Sequence, residues 1–236
     1  MDTNTITNWQ QCFEDLLADA WQGDAAHGLG HVRRVWAAAH DMATRTPRPF
    51  DGLALMAASY LHDWVCYPKD HPRRRHAAAE SAKVVTEILR VRSFPEESLV
   101  IVEDAIREHS FSARGNPQTW EGQLLQDADR LEALGAIGLA RCFATGGQLQ
   151  SALWHDEDPF AVARELDDKA YALDHLAVKL FRLPETMQTE PGRALARERC
   201  GFLIGFCDRL AQEMAVGDDR HGLFSLAGES GEPTTA

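Results

Sequence analysis

The sequence predicts an all-α protein, and three observations carry that prediction. Apolar residues recur at three- and four-residue spacing along most of the chain. No run of alternating apolar and polar residues reads as a strand. Breaks such as "TPRPFD" and "SARGNPQT" separate the periodic stretches. With 236 residues, 44% hydrophobic and 25% charged, the chain has the composition of an ordinary globular protein long enough for one large core.

Ile6, Trp9, Phe13 and Leu16 fall at helical spacing behind the capping candidates Asp2 to Asn4, opening a first helix. The glycine-rich joint "GDAAHGLGH" leads into a second, whose inner face reads His31, Val35, Trp36, Ala39 and Met42. After "TPRPFD" a third helix starts at about Gly52 and brings Leu55, Met56, Ser59, His62 and Asp63 onto neighbouring rows. "CYPKDHP" is a turn, and Pro72 suits the start of a helix over about 73–91. Pro95 opens the next, with Leu99, Val102, Ile106 and His109 on one stripe. Thr119 is an N-cap for a helix from Trp120 to about Arg141, and two further helices are predicted at about 160–181 and 191–215. The reading is one domain of about eight helices over residues 1–216, with a polar, glycine-rich tail over 217–236 that is expected to be mobile.

A formal net charge of -12 excludes broad electrostatic attraction to polymeric nucleic acid or to an anionic membrane. A polyanionic small molecule would still bind if a metal ion or a few arginines supplied local positive charge. The five cysteines are scattered and form no CxxC pair, which argues against a disulfide framework and against a thiolate zinc site. No signal peptide and no apolar stretch of about 18 residues is visible, so a cytoplasmic location is expected.

The chemistry concentrates at helix ends. His31 opens its helix, His62–Asp63 closes an apolar one in "YLHDWV", and Asp129 lies in "QDADRL". A histidine and an aspartate on the core side of a helix need partners. Imidazole and carboxylate donors together suit Mn, Fe, Zn or Mg. Asp127 is equally well read as a carboxylate favoured near a helix N-terminus, whereas Asp129 shares a face with Leu125 and Ala136. A second His-Asp doublet, His155–Asp156, reads as a polar loop.

The ordered set His31, His62–Asp63 and Asp129 resembles the H…HD…D signature of the HD-domain metal phosphohydrolases. "AHGLGHVRRVW", "LHDW", "IREHSFS", "EGQLLQDADRLEALGAIGLAR" and "DHLAVKLFRLPE…GRALARERCGFL" extend the resemblance to the stand-alone bacterial HD hydrolases over most of residues 20–215. It implies an HD-type helical fold and one divalent ion held by His31, His62, Asp63 and Asp129. Mn²⁺ or Mg²⁺ is favoured, with Fe²⁺, Co²⁺, Ni²⁺ or Zn²⁺ as alternatives. The implied reaction is hydrolysis of a phosphate ester or anhydride in a small nucleotide-like substrate, foremost as a (deoxy)nucleoside triphosphate pyrophosphohydrolase. A homodimer is left open.

The nucleotidase and alarmone-hydrolase branches carry a glutamate or acidic pair soon after the doublet, and "WVCYPK" has none. Water activation would then rest on Asp63, with His109 or His27 orienting the water or donating to a leaving phosphate. Lys69 and Arg73, in the dense basic cluster after the doublet, are the candidates for phosphate recognition. Two alternatives stand beside this reading: a di-iron oxygenase using His76 and His109 as extra ligands, and a non-catalytic helical sensor with a structural metal.

Overall fold

The computed structural model describes residues 3–20, 28–67, 71–110 and 115–215. In order, these form α1 (Thr3–Ala20), α2 (Leu29–Thr44), α3 (Gly52–Leu61), a 3-10 turn (Arg74–His76), α4 (Ala77–Val91) and α5 (Glu96–Glu108). There follow α6 (Trp120–Leu131), α7 (Gly135–Gln148), α8 (Asp174–Val178), a 3-10 stretch (Leu180–Thr186) and α9 (Glu190–Glu213). Among the described residues there is no strand, only an isolated bridge between Ala152 and Tyr171. No described helix is long and apolar enough to cross a membrane. The expected tail from Gly217 lies outside the described residues.

The chain divides into two compact units, residues 1–129 with 188–192 and residues 130–187 with 193–236. In the first, α3 is the central helix. Every residue from Leu53 to Leu61 is buried, which requires neighbours on all sides, and α1, α2 and α5 supply them. Burying Leu53, Leu55, Met56 and Leu61 contributes about 1.5–3 kcal/mol each relative to exposure, so the end of α3 is a firm platform. Asp51 caps the start of α3, its carboxylate accepting from the Leu53 and Ala54 amides at 3.0 Å each. Thr119 caps α6 as the sequence predicts, its hydroxyl accepting from the Gly122 amide at 3.1 Å.

The second unit departs from the predicted elements at two places. The helix expected to run from Trp120 to about Arg141 is broken after Leu131, and α7 restarts at Gly135, whose φ of 67° needs a residue without a Cβ. Ala136 therefore shares no helix face with Asp129. The helix expected over 160–181 is replaced by turns, the short α8 and the start of the 3-10 stretch. Side chains take the backbone donors that a helix would use. The Asp158 carboxylate accepts from the amides of Val162, Ala163 and Arg164, and buried Asp174 holds both the Arg164 guanidinium (2.6 and 2.7 Å) and the Asp167 amide.

Candidate metal centre

Four helix ends of the first unit bring the site together. His31 lies in the first turn of α2, its amide bonded to the Gly28 carbonyl at 2.8 Å, and its side chain is buried. His62 is the C-cap of α3 with Asp63 next in the turn. That turn is pinned from α4, where the Ser81 hydroxyl accepts from the Val65 amide at 2.9 Å. His109 is the C-cap of α5, and Asp129 projects from α6.

The side chains converge. His31 Nε2 lies 3.6 Å from Asp129 Oδ1, and His62 Nε2 lies 3.8 Å from the same oxygen. His62 Nε2 is 3.5 Å from Asp63 Oδ2, and His109 Nε2 is 3.6 Å from Asp63 Oδ1. The donor atoms form two overlapping groups, His31–His62–Asp63 and His62–His109–Asp129, each with all atoms within 4.8 Å of one another. The His31 and His62 rings stand 5.4 Å apart, and the His62 and His109 rings 5.0 Å. These spacings exceed a hydrogen bond. They match donors around one ion: with bonds of about 2 Å, neighbouring ligand atoms lie about 3–4 Å apart.

Backbone carbonyls set the tautomers. His62 Nδ1 is 3.0 Å from the Ser59 carbonyl and His109 Nδ1 is 2.6 Å from the Ile106 carbonyl. A carbonyl only accepts, so each Nδ1 carries the proton and each Nε2 turns toward the carboxylates. His62 Nε2 is buried with no hydrogen-bond partner. Burial holds the His62 pKa below its ordinary value, although Asp63 opposes it. At His109 burial also pulls downward, but the Asp63 and Asp129 carboxylates prevail and the pKa is raised. An orphaned imidazole lone pair beside two carboxylates fits a divalent cation, and these donors suit Mn, Fe, Zn or Mg.

Asp127 does different work from Asp129. Its fully buried carboxylate accepts from the Gln188 amide (2.8 Å), the Thr189 amide (2.8 Å) and the Thr189 hydroxyl (2.7 Å). Thr189 in turn accepts from the Gly192 amide at 3.0 Å, and a Cβ at Gly192 would collide with the Asp127 carboxylate. Sequence reasoning missed Gln126. Fully buried, it donates to the Glu108 and Gly115 carbonyls at 3.1 Å each and so holds the backbone next to His109. A glutamine one turn before Asp129 carries no signal of that role in the sequence.

Of the other site residues expected from the sequence, His27 and Lys69 lie outside the described residues. Arg73 is 62% exposed in its side chain and pairs with Glu80 at 2.7 Å, with the Tyr67 hydroxyl on the other Glu80 oxygen. His76, exposed at the N-cap of α4, belongs to neither ligand group. The second doublet is a turn: His155 Nδ1 accepts from the Glu157 and Asp158 amides at 3.2 and 3.0 Å.

Comparison with known proteins agrees with the all-helical fold. Residues 28–134 match the HD domain. The uncharacterized protein YpgQ of Bacillus subtilis is 38% identical over 113 residues, 46% of this chain and 49% of that protein, so the matched stretch spans about half of the curated relative. The crystal structure of YpgQ in complex with ADP superposes with a TM-score of 0.65 at 25% identity, covering 89% of this chain and 96% of that one. An HD-superfamily hydrolase of Bacillus thuringiensis has the same fold, with a TM-score of 0.67 at 24% identity over 91% of this chain and 98% of that one. The matched stretch runs from Gly28, the N-cap of α2, to Leu134 and encloses all five converging side chains, and this segment is an HD domain.

Proposed function

We propose that the chain is a divalent-metal-dependent phosphohydrolase acting on a small nucleotide, in its finest form a (deoxy)nucleoside triphosphate pyrophosphohydrolase. The observation that carries this is the gathering of three imidazoles and two carboxylates in two overlapping donor groups that share His62. The ADP in the YpgQ crystal supports a nucleotide as the ligand class.

In this reading His31, His62, Asp63 and Asp129 hold the ion. Bound there, a divalent cation neutralises phosphoryl charge and makes a water easier to deprotonate. Asp63 uses its two oxygens differently: Oδ2 lies on the His62 side and Oδ1 faces His109 Nε2. Oδ1 takes the proton from the attacking water, and His109 Nε2 is the next carrier. From there the proton passes to the departing phosphate oxygen. Water adds to phosphorus, the bridging oxygen leaves, and nucleoside monophosphate and pyrophosphate result. Lys69 and Arg73 contribute to phosphate binding, Arg73 by exchanging its Glu80 partner for phosphate.

The test is a screen of phosphorylated compounds with chain loaded with Mn²⁺, Mg²⁺, Co²⁺ or Zn²⁺, with Asp63→Ala beside it. The parent should release phosphate or pyrophosphate from nucleotides, and Asp63→Ala should lose both the ion and turnover. A parent chain that holds metal but hydrolyses nothing in the screen would make the centre structural.

A further inference from the structure

Helix α1 lies before the segment that matches the HD domain. One of its side chains nevertheless reaches both α2 and α3. Glu14, 13% exposed, receives the Arg33 guanidinium on both carboxylate oxygens, Nε on Oε1 at 2.8 Å and Nη2 on Oε2 at 2.5 Å. The buried Tyr60 hydroxyl donates to Glu14 Oε1 at 3.1 Å and accepts from Gln10 Nε2 at 3.0 Å. Arg33 is two residues after His31 on α2, and Tyr60 is two residues before His62 at the end of α3.

Residues two apart on a helix point about 200° apart. Each of the two helices therefore turns a histidine to the metal centre and, from its far side, a polar group to Glu14. A single carboxylate bonded to both far sides fixes how the helices slide and rotate against each other. That register sets where His31 and His62 stand. An arginine fork with two bonds constrains orientation more than a point charge would, and the Phe13–Tyr60 ring contact at 6.0 Å keeps the tyrosine against α1.

We propose that Glu14 is a positioning residue for the metal centre: through Arg33 and Tyr60 it holds the two histidine-bearing helices in register for His31 and His62 to share one ion. This rests on the metal reading above. It makes α1 part of the framework of a site that it does not touch.

The test measures Mn²⁺ and Co²⁺ dissociation constants by calorimetry, and the visible spectrum of the Co²⁺-loaded chain, at a temperature where circular dichroism shows each variant folded. Glu14→Ala should bind metal about tenfold more weakly, in the range that outer partners of ligands command, with altered Co²⁺ bands. Glu14→Gln keeps an acceptor for Tyr60 but loses the charge facing Arg33, and should fall between parent and Glu14→Ala. If Glu14→Ala does not fold, Arg33→Met removes a side chain that is 53% exposed and carries the same expectation. A lower melting temperature with metal affinity within about twofold of the parent and an unchanged Co²⁺ spectrum would overturn the proposal, since a purely structural tie predicts that pattern. A parent chain that binds neither ion would overturn the metal reading and this inference together. Normal parent binding with unaffected variants overturns this inference alone.

Discussion

The side chains of Asp127 and Asp129 leave α6 about 200° apart, because each residue turns a helix by about 100°. One carboxylate therefore enters the packed interior and the other faces the histidines. Asp127 satisfies three donors around Thr189, while Asp129 stands 34% exposed beside His31 and His62. Separate losses should follow. Asp127→Ala strands buried donors at about 1–3 kcal/mol each and should lower stability by about 3 kcal/mol or more, with metal still bound by the folded fraction. Asp129→Asn should lose metal and keep its melting temperature within a few degrees. Urea titration and elemental analysis on both variants check this, and metal loss in Asp127→Ala with retention in Asp129→Asn would reverse the roles.

At the scale of elements, the break between α6 and α7 shows how one glycine ends a helix that apolar periodicity would continue. Gly135 sits at φ 67°, and a Cβ there would stand 3.3 Å from Arg199 Cγ. Arg199 Nη1 donates to the Leu131 carbonyl at 2.6 Å, beside the Leu134 amide at 3.1 Å, and so secures the end of α6. Gly135→Ala should therefore destabilise by about 1–2 kcal/mol from the backbone alone. It should appear as a lower urea midpoint at unchanged slope. An unchanged midpoint would mean that the turn tolerates a side chain. The same competition explains the lost helix over 160–181, where Asp158 and Asp174 capture backbone donors before a helix can use them. The periodicity there was real, but residues such as Asp158 also favour turns, and only contacts with Arg164 and Asp174 decided between the two.

For the molecule as a whole, acid stability depends on two opposing effects. At pH 7 the formal net charge is -12, and lowering the pH toward the pI of about 5.2 relieves that self-repulsion. Three carboxylates act the other way. The Arg33 hydrogen bond holds Glu14 below its ordinary value of 4.5, and the Tyr67 and Arg73 hydrogen bonds do the same for Glu80. Burial raises Asp158, but the Ala163, Val162 and Arg164 amides outweigh it and bring the group below its ordinary 3.8. A depressed folded pKa contributes stability that is complete above the unfolded value and lost as pH falls through the folded one. The melting temperature should hold or rise between pH 7 and the pI, then fall below about pH 4.5. Combining Glu14→Gln, Glu80→Gln and Asp158→Asn should flatten that acid limb. A triple variant with the parent's acid limb would remove these carboxylates from the explanation.

The helical class, the positions of α1 to α5 and the identity of the histidine–aspartate doublet were determined by the sequence itself. They rest on local quantities: apolar spacing within a few turns, capping residues beside them, and a polar pair ending an apolar helix. The sequence also put Asp129 and His109 at the site. The tertiary structure alone decided that Asp127 is spent on the Gln188 and Thr189 donors, that His109 Nε2 stands 3.6 Å from Asp63 Oδ1, and that Glu14 ties α2 to α3. Each depends on the rotation and sliding of one helix against another. Those are set by how side chains interlock across the core, and no spacing along a single helix encodes them.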